Sequence, residues 1–134
     1  MSLLPARPPN VIKVGFVAPF EGRYRHIGYD AVYAARLAVR EINQADALDG
    51  WRIQLVAHDD RGNVEMARTA ARSLSIDPDV MVVLGHYRPG TSVAAADVYA
   101  ASAMPQIVLG TWVPALTREG PLHLMPAPER VAEA

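Results

Sequence analysis

The chain has 134 residues, 51% of them hydrophobic and 20% charged, with 13 Lys and Arg against 14 Asp and Glu for a formal net charge of −1. That length suits one domain with its own core, and the balanced charge gives no field that would draw nucleic acid or an anionic membrane. With no Cys and a single lysine, Lys13, among twelve arginines, thiolate, disulfide and lysine-dependent chemistry is excluded.

Residues 1–10 read as an extended, Pro-rich lead-in. They lack the apolar stretch of a secretory signal, and no run reaches the ~18 apolar residues of a membrane span. The chain therefore reads as cytoplasmic, or as periplasmic or extracellular with its signal absent from these residues. The nearly continuous apolar run from Val11 to Ala18 predicts a buried strand, ended by Pro19. From about Gly28 to Ala45 the period becomes helical: Ile27, Ala31, Ala34, Ala38, Ile42 and Ala45 form one apolar stripe. Tyr29, Tyr33, Arg36 and Arg40 fall on another face, read first as a solvated surface and alternatively as a surface for a partner.

Arg52 to His58 predicts the second strand. Gly62 supplies a turn and Asn63 an N-cap for a helix whose buried face is Ala67, Ala70, Ala71 and Leu74. Val80 to Gly85 is fully apolar and predicts a central strand. A small-residue helix follows from about Thr91 to Ala103, then a fourth strand over Met104 to Gly110, a helical turn from Pro114 to Arg118 and a weaker fifth strand from Pro121 to Met125. Strands alternating with helices over short connections define the fold class: an α/β lobe, an open and mostly parallel doubly wound sheet with helices on both faces.

Ligands of such sheets lie beyond the carboxyl ends of the strands. That rule selects residues 19–27, 58–63, 86–92 and 110–114. Pro89-Gly90-Thr91-Ser92 opens a helix whose free N–H groups suit a small polar or anionic guest; an ordinary turn with Thr91 or Ser92 as N-cap is the simpler reading of the same residues. Gly110-Thr111-Trp112 offers bare backbone, a hydroxyl and a large aromatic plate. His58-Asp59-Asp60 with His86 reads as turn capping and hydrogen bonding, not as a metal site.

Enzymatic readings find no support. A phospho-acceptor lobe would need an acidic pair after the first strand, where Pro19-Phe20 stands, and a Lys after the fifth. No G-x-x-x-x-G-K-[ST], G-x-G-x-x-G or G-x-S-x-G occurs at a strand end. No nucleophile, general base or cofactor is indicated, and the chain reads as a non-enzyme.

Several segments, in order, carry a resemblance. Ile12-Lys13-Val14-Gly15-Phe16, then Pro19-Phe20-Glu21-Gly22 and Gly28, are followed by Ala38-Val39-Arg40-Glu41-Ile42-Asn43, Ile53-Gln54-Leu55-Val56 and Asp59-Asp60. Val83-Leu84-Gly85-His86, Ala96-Asp97-Val98-Tyr99, Met104-Pro105-Gln106-Ile107 and Leu116-Thr117-Arg118-Glu119-Gly120 complete the set. Together they resemble the amino-terminal half of the branched-chain amino-acid and amide binding proteins of ABC importers.

The resemblance implies a type I periplasmic-binding fold of two lobes that close on a small solute and deliver it to a membrane permease. On that reading residues 11–126 are the ligand-binding lobe, and 127–134 begin a crossover toward a second lobe. It also implies ligand positions: Pro89, where amino-acid binders offer a hydroxyl and an N–H to the carboxylate; Gly110, whose carbonyl would receive an ammonium; Trp112, with Thr111 beside it, at a second hydroxyl position; and Ile27, where an aromatic lies over the ligand. Tyr87, Gly90 and Thr91 belong to the same wall. Three of these four positions depart from the amino-acid pattern, and Pro89 has no N–H. A buried carboxylate would be underpaired, so the expected solute is larger and more apolar or aromatic, stacked on Trp112. In the family, late segments of the chain return to cover the first lobe, so this lobe alone is expected to self-associate. The alternative is an interaction or regulatory lobe that binds no solute by itself.

Overall fold

A computed structural model describes residues 10–110, 113–116 and 123–124, the last two as backbone only. β1 (Asn10–Ala18) leads to α1 (Arg25–Gln44), β2 (Trp51–Asp59), α2 (Val64–Ser75), β3 (Val80–Leu84) and α3 (Pro89–Ala101). β4 (Gln106–Ile107), a 3₁₀ turn (Pro114–Leu116) and β5 (His123–Leu124) follow. All strand pairs are parallel, in the order β2-β1-β3-β4-β5.

Alternation along β1 decides the layers. Val17 points to one face, where it meets Val83 and a cluster of Ala70, Ala71 and Leu74 from α2 with Ala95 and Tyr99 from α3. Phe16 and Ala18 point to the other face, against Val32 of α1, with Ala35, Leu55 and Leu84 around them. Helices thus cover both faces, as the sequence implies. The innermost strand is β3, with Val80 and Val83 buried and Met81 exposed near its amino-terminal end.

Local signals placed α2 closely. Asn63 Oδ1 accepts from the amides of Glu65 and Met66 at 2.9 and 3.1 Å, and the predicted four residues form its buried face. α1 departs from expectation. It starts at Arg25, and its inward residues are Gly28 and Val32, while Ala34, Ala38 and Ala45 are exposed. Gly28 explains the rotation: a Cβ there would collide with the Pro19 carbonyl oxygen, so the helix can approach the end of β1 only on its glycine side.

Two strands differ in extent. Asn10 pairs with Trp51, so β1 takes in a residue expected in the lead-in. Regular β4 has two residues instead of seven. Even so, the amides of Val83, Gly85 and Leu109 bond to the carbonyls of Pro105, Ile107 and His86 at 3.0, 2.8 and 3.2 Å, which keeps the segment beside β3. Pro105 has no N–H of its own to extend the ladder.

At the β2 edge the Asn43 side chain replaces a neighbouring strand. Its Nδ2 donates to the Ile53 carbonyl at 2.9 Å, and its Oδ1 accepts from the Ile53 amide at 2.8 Å. No described helix is long and apolar enough to cross a membrane.

Candidate functional site

Strand order reverses between β1 and β3, whose carboxyl ends therefore open a crevice. Four connections border it: residues 19–24, 60–63, 85–88, and the segment that reaches Gly110.

A buried polar chain forms its floor. Asp60, His86 and Tyr99 are fully buried. Asp60 Oδ1 accepts from the Gly62 amide at 2.8 Å, Oδ2 lies 2.9 Å from His86 Nδ1, and His86 Nε2 lies 2.9 Å from the Tyr99 hydroxyl. Burial, reinforced by the Asp60 charge, holds the Tyr99 pKa well above the usual phenol range, so its hydroxyl keeps its proton. Every proton finds an acceptor if His86 is neutral, with Nδ1 donating to Asp60 and Nε2 accepting from Tyr99. The His86 carbonyl accepts from Ser92 Oγ at 2.9 Å, and Gln106 Nε2 donates to the Gly85 carbonyl at 3.1 Å. β2, β3, β4 and α3 are thereby tied together directly beneath the loop that follows His86.

The His58-Asp59-Asp60 triplet divides its work. His58 pairs in register with Val17 inside the sheet. Asp59 Oδ1 accepts from the Phe20 and Arg61 amides, both at 2.8 Å, and Asp60 turns inward to His86. These are the turn-capping and hydrogen-bonding roles the sequence suggested. Among the described residues no group of three or more His, Asp or Glu is placed to hold a metal.

The predicted wall residues fall into three groups. Tyr87 and Gly110 meet: Gly110 has φ +90°, and a Cβ there would stand 2.7 Å from the Tyr87 carbonyl oxygen. Pro89 occupies N1 of α3, so the amides of Gly90 and Thr91 have no intrahelical partner. Ile27, half-buried in the first turn of α1, enters from a different element. Thr111 and Trp112 lie outside the described residues.

Neither Thr91 nor Ser92 is the N-cap. That position is Arg88, and the Thr91 hydroxyl donates back to its carbonyl at 3.0 Å. The helix starts two residues earlier than expected because Pro89 is already set at the helical φ.

Sequence reasoning missed Arg88 itself. Its Cζ lies 4.4 Å from the centroid of the Tyr24 ring, which also receives Arg23 at 5.8 Å. A Cβ on Gly62 would stand 3.4 Å from Arg88 Cδ, so this one side chain lies against both the first and second loops. Its position just before Pro89-Gly90 was the available signal. The face therefore combines two unpaired helix amides, two guanidinium groups and bare backbone at Gly110.

A doubly wound parallel sheet with its polar loops gathered at the carboxyl ends of the strands is an architecture in which ligands bind at those ends. The profile of the periplasmic binding protein family matches residues 11–125, and the chain belongs to that family. It is similar to Leu/Ile/Val-binding protein homolog 1 of Brucella abortus, 28% identical over 109 residues that cover 81% of this chain and 29% of that one. Among solved structures it resembles a putative branched-chain amino acid ABC transporter protein from Rhodospirillum rubrum, with TM-score 0.73, 30% identity, and 76% of this chain matched to 30% of that one. It also resembles the substrate-binding protein LivJ from Streptococcus pneumoniae, solved with isoleucine, with TM-score 0.72, 29% identity, and coverage of 77% and 30%. These neighbours carry the type I periplasmic-binding fold. The chain spans 27–29% of the length of the curated relatives it matches.

Proposed function

We propose that this chain is the amino-terminal solute-binding lobe of an ABC-importer binding protein, with residues 11–126 as the lobe and 127–134 leading toward a second one. It works in the periplasm or outside the cell and hands its solute to a membrane permease. The relatives are solute-binding proteins, and no catalytic residue enters this reading.

The solute carries an anionic group on an apolar or aromatic body and is not a standard branched-chain amino acid. The observation that carries this is Pro89 at N1 of α3. The hydroxyl and amide expected there for an α-carboxylate are missing, and the Thr91 hydroxyl is already spent on the Arg88 carbonyl. Gly90 and Thr91 amides, aided by Arg88, instead receive an acid group that is not tied, as an α-carboxylate is, to an ammonium at the Gly110 carbonyl. Tyr87, Gly110, Thr111 and Ile27 shape the wall, and Trp112 supplies the aromatic plate.

Calorimetric titration of the two-lobed protein with leucine, isoleucine and valine, beside aromatic and long-chain carboxylates, tests the assignment. Micromolar binding of the branched-chain amino acids would overturn it, and native mass spectrometry of co-purified solute would identify the replacement.

A further inference from the structure

The N-cap of α3 breaks two local rules at once. An N-cap side chain usually accepts from the second or third helical amide, but arginine carries donors only, and Arg88 makes no capping bond. A cation beside a helix N-terminus is also opposed by the helix dipole. Natural folds tolerate such breaches chiefly at functional sites, where other contacts hold the residue.

What holds Arg88 lies on another element. Its side chain leaves the helix end, crosses the crevice and sets Cζ 4.4 Å from the centroid of the Tyr24 ring, at the N-cap of α1. The ring itself is seated. Gly62 has φ +69°, and a Cβ there would stand 3.3 Å from Tyr24 Cδ2 and 3.4 Å from Arg88 Cδ, so the glycine lets ring and arginine stem close on one spot. Around them the first and second loops are tied by Asp59 Oδ1 to the Phe20 amide at 2.8 Å and by Arg61 to Glu21 at 2.9 Å.

The guanidinium is held without being neutralised. Among the described residues Arg88 meets no carboxylate, and neither does Arg23, 5.8 Å from the same ring centroid. Arg61 and Arg68, by contrast, are paired with Glu21 and Glu65. A carboxylate in place of Tyr24 would cancel the charge of Arg88. An aromatic face fixes its direction and leaves its N–H groups free for an anion.

We propose that Tyr24 is a positioning residue of the solute site, whose ring aims the Arg88 guanidinium so that it shares an anion with the Gly90 and Thr91 amides. This role rests on the anionic solute assigned above and adds a residue that acts through Arg88. The ring carries it, since the Tyr24 hydroxyl makes no hydrogen bond among the described residues.

Titration of the 134-residue chain with sulfate at constant ionic strength, followed by NMR at the Gly90 and Thr91 amides, tests it. Tyr24→Phe is expected to titrate like the parent. Tyr24→Leu, which keeps apolar packing on Gly62 but loses the aromatic face, is expected to weaken binding by about threefold. In an Arg88→Ala background the same Tyr24→Leu change should have no further effect, because residues that act as one unit are not additive. Thermal melting checks that each variant is folded. Equal affinities for the parent and Tyr24→Leu would overturn the positioning role and leave the anion assignment standing. So would a loss that persists without Arg88, or one that Tyr24→Phe shares. Gly90 and Thr91 amides unmoved by sulfate in the parent would overturn the anion assignment itself, and the positioning role with it.

Discussion

His86 Nδ1 and Asp60 Oδ2 lie 2.9 Å apart with neither side chain reaching solvent, joining the end of β3 to the end of β2 beneath the strand-end loops. Replacing one partner strands the other in the interior. Asp60→Ala removes the acceptor of both His86 and the Gly62 amide, and each buried group left unpaired costs about 1–3 kcal/mol. Urea unfolding of this variant is expected at a clearly lower midpoint. Asp59→Ala, whose partners are amides of a more open loop, should shift it less. Equal midpoints would show that the buried pair holds nothing in place.

Tyr99 sets the alkaline limit. Its folded pKa is raised by burial and by Asp60, whereas an unfolded tyrosine ionises near about 10. The contribution is therefore complete below that value and is lost as pH rises beyond it, because the unfolded state releases the proton first. Tyr99→Phe should lower stability near neutrality by about 1 kcal/mol, for the lost bond to His86. It should also flatten the decline above pH ~10. An unchanged alkaline slope in thermal melts would refute the assignment.

Lys13 and Asp77 act at both ends of the pH scale. The hydrogen bond between them, 2.8 Å long, raises the lysine and lowers the aspartate from their ordinary values. The Asp77 contribution is present above the unfolded carboxylate pKa and lost as pH falls through the folded one. The Lys13 contribution is present below the unfolded lysine pKa and lost as pH rises through the folded one. Asp77→Asn should remove part of the acid-side decline in a melting series, and high salt should shrink the difference between the variants.

Gly28 admits no side chain without moving α1. Gly28→Ala drives a methyl into the Pro19 carbonyl, and overpacking of this kind costs about 1–3 kcal/mol, more than any gain in helix propensity. A variant as stable as the parent in urea would mean that α1 does not pack on Pro19.

Arg88 is exposed, and its contact with Tyr24 lies at the surface, where such pairs contribute about 0.5–1 kcal/mol. Arg88→Ala should leave the melting curve nearly unchanged. In the two-lobed protein it should weaken binding of an anionic solute by about tenfold, and that of a neutral analogue much less. Equal losses for both would point to a packing role.

Legibility in the sequence followed the range of the interaction. The Asn63 cap bonds two amides within three residues, so α2 could be placed from a short window. α1 could not, because alanine occurs all around it and no local pattern separates Ala35, packed inward, from Ala34 and Ala38, which are exposed. For the proposed site, Tyr87, Pro89, Gly90, Thr91 and Gly110 were readable as residues at or just after strand ends. Arg88 was not, because its partners Tyr24 and Gly62 reach it only once β1, β2 and β3 stand in order.

By itself the sequence determined a βα alternation, the buried face of α2, a central β3, and a proline without an N–H in the loop that follows it. Periodicity, capping and the missing proline N–H are properties of a few adjacent residues, so they survive without coordinates. Only the tertiary structure decided that Asp60 would find His86, 26 residues away, that Arg88 would lie over Tyr24, and that α1 would turn Tyr33 and Leu37 outward. Those outcomes depend on strand order and on the collision that Gly28 avoids, and both arise when distant segments close on one another.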